Sequence, residues 1–102
     1  RIVNGGFGGM VKSFSLSGTS ATIDCNFLIG AINSAKSGMQ VTIQQGFEGQ
    51  QVKLLNYSGV SFSVYRNDNG SLATRIPAES SALLYYTGKT WLPVQTGDLY
   101  RT

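Results

Sequence analysis

At 102 residues, with 13% charged residues and a net charge of +3, the chain suits one domain with a thin stability margin and leaves no room for a second folded unit. The eight basic residues, Arg1, Lys12, Lys36, Lys53, Arg66, Arg75, Lys89 and Arg101, are scattered without a run, which argues against a nucleic-acid partner. The absence of histidine removes His-dependent triads and the commonest zinc ligand, and no apolar run approaches the roughly 18 residues of a membrane helix, which argues against membrane insertion.

Residues 1–9, with Gly5, Gly6, Gly8 and Gly9, read as a linker or as the exit from something upstream. They lack the apolar core of a signal peptide. Starting without Met, the chain reads as a fragment or cleaved product, and as a soluble one. The domain is expected over residues 10–95. MVKSFSLS alternates, with Lys12, Phe14 and Leu16 sharing a face, and ATIDC places Ala21, Ile23 and Cys25 inward. Cys25 has no partner for an intrachain disulfide and reads as a buried thiol in a protein folded in a reducing compartment.

FLIGAI fits a short helix or a strand; Gly30 and the loop after it favour the strand. MQVTIQ alternates cleanly, burying Met39, Val41 and Ile43. QVKLLN follows a turn containing Gly46 and Gly49, with Val52 and Leu54 on one face. VSFSVYR alternates Val60, Phe62 and Val64 with polar positions; Asn67-Asp68-Asn69-Gly70 turns the chain, and SLATRI returns with Leu72 and Ile76 inward. Pro77 ends that strand. ALLYY and TWLPV form a closing hairpin in which Tyr86 and Trp91 are packed, and residues 96–102 form a polar tail. The pattern predicts an all-β protein, an antiparallel, jelly-roll-like β-sandwich of eight or nine short strands. No internal repeat with a solenoid period is read from it.

Candidate chemistry is sparse. Asp24, Glu48, Asp68, Glu79 and Asp98 are far apart in sequence and form no calcium loop, so neither a metal site nor a cofactor is expected. Gly88-Lys89-Thr90 matches the end of a phosphate loop, but Leu83 stands where that loop needs glycine and Trp91-Leu92-Pro93 starts no helix. Carbohydrate binding is the more natural chemistry, because aromatic faces stack on sugar C–H surfaces while amides, carboxylates and guanidinium groups bond hydroxyls. Tyr57, Tyr65, Arg66, Asn67, Asp68 and Asn69 are the candidate ligands. The alternative is that the tyrosines cap the core or an interface and Asn67 to Gly70 only turns the chain.

Gly46, Gly49, Gln50, Val52, Leu54 and Asn56 in GFEGQQVKLLN, followed downstream by Tyr86, Gly88 and Trp91 in LLYYTGKTW, resemble motifs of the small carboxy-terminal β-domains of phage tailspikes and tail fibres. The likeness spans about residues 20–95; it departs at Thr87, where such domains often carry Asp. It implies a β-sandwich that trimerises, clamps the end of a β-helical or fibrous shaft and in some cases binds host-surface polysaccharide, the hydrolase residing in the shaft. On this resemblance the expectation is a non-enzymatic homotrimer in the virion tail, assembled in the host cytoplasm. A carbohydrate-binding module is the alternative, and a small glycosidase or lyase a further one.

Overall fold

In the computed structural model, which describes residues 11–98, nine strands and no helix form two sheets. They are β1 (Val11–Ser15), β2 (Ser20–Ile23), β3 (Ile29–Ser34), β4 (Gln40–Ile43), β5 (Gln51–Asn56), β6 (Phe62–Arg66), β7 (Leu72–Ile76), β8 (Ser80–Tyr86) and β9 (Trp91–Asp98). One sheet has the order β1-β3-β5-β8-β9 and the other β2-β4-β6-β7. Side chains from both sheets share one core. The expected linker at residues 1–9 and the last part of the expected tail, 99–102, lie outside the described residues. Thr96, Gly97 and Asp98 continue β9, opposite Ala82, Ser81 and Ser80.

The chain changes sheet at each of the first five connections, so each pair of successive strands makes one circuit. Successive circuits stack in parallel: Val11 pairs with Ile29 and Ile29 with Lys53 in one sheet, Ser20 with Gln40 and Gln40 with Ser63 in the other. Strands β7, β8 and β9 then add antiparallel to β6, β5 and β8. The expected all-antiparallel sandwich is therefore corrected to two mixed sheets, a parallel stack closed by antiparallel strands. The physical reason is that β1 to β6 are joined by loops that cross between sheets rather than by hairpin turns, and such crossings deliver parallel neighbours.

A repeat accompanies this path, which corrects the reading that none is present. Ser17-Gly18, Ser37-Gly38 and Ser58-Gly59 each stand just before a strand of the four-stranded sheet, and each is followed by alternating residues ending in Ile23, Ile43 or Val64. The three glycines have φ of 83°, 75° and 82°, a left-handed conformation that costs an L-residue about 1–2 kcal/mol. This turn starts each strand on the same face. The third copy is displaced by two residues in the ladder, Val41 lying beside Val64. Because side chains alternate with period two, the inward set is unchanged.

The inner rows are stacks such as Ala21–Val41–Val64 in one sheet and Val52–Leu84 in the other, and Ile23, Cys25, Met39, Val41, Ile43, Val52, Leu54, Phe62 and Val64 are buried as the alternation predicts. FLIGAI is resolved as the loop residues Phe27 and Leu28 followed by β3. Leu72 is the exception: it is 50% exposed, not inward. Val64 pairs with Thr74 but Tyr65 pairs with Leu72, so Ala73 is an extra residue that turns Leu72 onto the outer face. At the β1–β2 end of the stack Lys12 forms an ion pair with Asp24, beside the edge-to-face rings of Phe14 and Phe27.

Candidate functional site

Phe62 and Val64 face the core, so the next residue of the same parity, Arg66, must also point inward at the end of β6. Its Nε donates to the Trp91 carbonyl at 2.7 Å, across to the other sheet, and its Nη1 donates to the Leu72 carbonyl at 2.7 Å and to Ser71 Oγ at 3.0 Å. The guanidinium thus ties the β6–β7 turn to the start of β9. Replacement by Ala removes three charge-assisted bonds; the expected loss is about 1.5–3 kcal/mol by urea denaturation, and Lys, lacking the planar fork, recovers little of it.

The turn after Arg66 is likewise occupied with itself. Asn69 Oδ1 accepts from the Ser71 amide at 2.9 Å and from its hydroxyl at 2.7 Å, an Asx turn. Asp68 Oδ1 accepts from Thr90 Oγ1 at 3.0 Å, joining this turn to the β8–β9 turn. Asn67 is exposed. Tyr65 lies half-buried on the outer face, in a row with Thr22, Thr42 and Leu72.

Tyr57 does not join them. It follows β5, at the end of the molecule where β6 begins, whereas Arg66 to Asn69 lie where β6 ends, roughly 13 Å away along a strand of this length. Of the six candidates the structure brings five to one end. Arg66 is bound to backbone, Asp68 and Asn69 are engaged in turn contacts, and Tyr65 and Asn67 remain at the surface with further hydrogen-bonding capacity. The signal that Arg66 is a structural tie was present in the alternation of β6.

The Gly46 to Asn56 and Tyr86 to Trp91 motifs converge on one packing arrangement. The Trp91 indole is fully buried, donates from Nε1 to the Gln44 carbonyl at 2.8 Å and meets Tyr86 edge-on at 5.0 Å between centroids. A Cβ on Gly46 would sit 2.8 Å from Trp91 Cζ2, so only glycine lets this loop lie against the ring. Gln50 Nε2 donates to the Cys25 carbonyl at 2.7 Å, and its Oε1 accepts from the Phe47 amide at 2.8 Å, locking two neighbouring loops. Asn56, at the other end of β5, is fully buried; its Nδ2 donates to the carbonyls of Val60, Ile76 and Pro77, and its Oδ1 accepts from Ser58. Each motif residue has a structural task.

Cys25 is buried with its Sγ 3.2 Å from the Gln45 carbonyl, and burial holds its thiol above the ordinary value of 9.0. The folded state therefore keeps the proton that the unfolded chain releases, so this contribution to stability is full below pH 9 and declines as pH rises above it. At pH 8 iodoacetamide is expected to modify native Cys25 about a hundredfold or more slowly than the denatured chain. Equal rates would show the thiol to be open. Among the described residues no three metal-ligand side chains gather, and no helix is long and apolar enough to cross a membrane.

No protein-family model matches the chain, and comparison with curated proteins finds no significant similarity.

Proposed function

We propose that this chain is the carboxy-terminal trimerisation and shaft-capping domain of a phage tailspike or tail fibre, without enzymatic activity of its own, serving virion attachment to the host surface. The observation that carries this reading is the polarity of the stack: parallel circuits in which β1 and β2 are edges among the described residues, and antiparallel strands β7 to β9 closing the opposite end. That is the form of an end piece. The outer face of the five-stranded sheet adds apolar side chains, Tyr85 beside Leu92 and, on either side of Lys53, Ile29 and Leu83, that suit contact between subunits. If subunit contact hides that face, the unfolding midpoint rises with protein concentration; a midpoint independent of concentration over a hundredfold range argues against the trimer.

A second reading, recognition of bacterial surface polysaccharide, draws on the other sheet. Its outer face is largely polar, with Ser20, Gln40, Ser63 and Arg75 in one row and Thr22, Thr42, Tyr65 and the exposed Leu72 in the next, an array of hydroxyl, amide and guanidinium groups beside an aromatic ring. Titration with host polysaccharide tests it. Tyr65→Ala is the informative variant, and unchanged binding by it removes this reading; Arg66→Ala reports on folding instead.

A further inference from the structure

We propose that the paired edges β1 and β2 form an acceptor for one more parallel β-circuit, and that this is the geometry by which the domain joins a shaft, an inference that rests on the shaft-end reading above. The two edges lie side by side at the same end of the stack, one in each sheet. The Gln40 amide donates to the Thr19 carbonyl and the Gln44 amide to the Ile23 carbonyl, so on β2 the odd-numbered residues face β4. The alternate residues Ser20 and Thr22 therefore present their N–H and C=O groups outward, where no described strand pairs with them. An unpaired row of this kind is a template for strand addition.

The other edges are guarded. β7 carries the extra residue Ala73, and β9 carries Pro93 and the extra residue Val94, devices that discourage pairing. β2 has none of them: Ser20-Ala21-Thr22-Ile23 pairs with β4 without irregularity and bears neither charge nor proline, while on β1, which carries Lys12, the register shift falls only at the last residue, Ser15, and Val11 to Phe14 pair regularly with β3. The sheet-entry turn is already used three times, at Gly18, Gly38 and Gly59, so an added circuit repeats a geometry the fold employs. The row it meets is Thr22–Thr42, small polar side chains in register. Lys12 and Asp24 close the mouth between the edges as a neutral pair, so a circuit laid across them covers no net charge. The occupant that fits is extended polypeptide running parallel to β1 and β2, as a β-helical shaft would supply it.

The test lengthens the protein by one circuit, with a second copy of residues 11–28 placed directly before Val11. In the parent the Ser20 and Thr22 amides are expected to exchange rapidly with solvent. In the lengthened chain the same amides of the original circuit are expected to slow by about a hundredfold or more, and Thr22→Pro in that circuit, tolerated in the parent, lowers the melting temperature. Unchanged exchange of Ser20 and Thr22, or an added circuit that proteases remove from an intact parent domain, overturns the acceptor. That failure leaves the trimer reading standing, whereas a parent that is monomeric removes the shaft-end reading whatever the added circuit does.

Discussion

Trp91→Ala is expected to lower the melting temperature by about 15–30 °C, because losing a buried tryptophan costs about 3–5 kcal/mol and each kcal/mol moves the midpoint of a domain this size by about 4–8 °C. The cause is the convergence at this ring. Its removal abolishes the edge-to-face contact with Tyr86, frees the Gln44 carbonyl and empties the space that Gly46 is shaped to leave. Since such domains are stable by only about 5–15 kcal/mol, much of the margin goes with one side chain. Circular dichroism is the measurement, because the variant lacks the chain's only tryptophan. Trp91→Phe keeps part of the ring and should fall between the two. A drop under about 5 °C for Ala would contradict the packing role.

The second large effect is expected at Asn56. Ala at this position leaves the carbonyls of Val60, Ile76 and Pro77 without their shared donor and Ser58 without its acceptor, for a loss on the order of 3 kcal/mol in urea denaturation. Asn56→Asp separates the two halves of the network. At neutral pH its carboxylate still accepts from Ser58 but faces three carbonyl oxygens, so it should be at least as damaging as Ala; protonation restores one donor, and part of the loss should be regained on acidification. Asp and Ala variants that unfold alike at all pH values would show that the side chain's donors do not hold these loops.

Much of the interior was legible because it rests on local alternation. Met39, Val41 and Ile43, or Val52 and Leu54, announce their inward face within a single strand, and Trp91 with Tyr86 follows from one hairpin. Which strands become neighbours is a different matter. Ile29 meets Lys53 and Gln40 meets Ser63 across long stretches of chain, and nothing in either strand alone distinguishes a parallel neighbour from an antiparallel one. The Ser-Gly repeat was the available signal for stacked circuits, obscured because the residues after each glycine differ and the third copy slips by two. The bulges at Ala73 and Val94 were not legible at all, since each is an adjustment to a partner strand, and the first of them turned Leu72 outward.

The candidate glycan site was less legible for the same reason. Tyr57 and Tyr65 are close in sequence but stand at opposite ends of β6, and the charged group next to Tyr65 that most resembled a ligand, Arg66, is turned inward by the parity of Phe62 and Val64. Residues that looked available for recognition in the turn, Asp68 and Asn69, are held by Thr90 and Ser71. What survives as surface is the polar row around Tyr65.

The central claim, an end piece that works as a trimer, is tested most directly by sedimentation equilibrium of this chain at micromolar concentration. The account predicts a single species of three times the 10.9 kDa chain mass. A stable monomer at that concentration would contradict it.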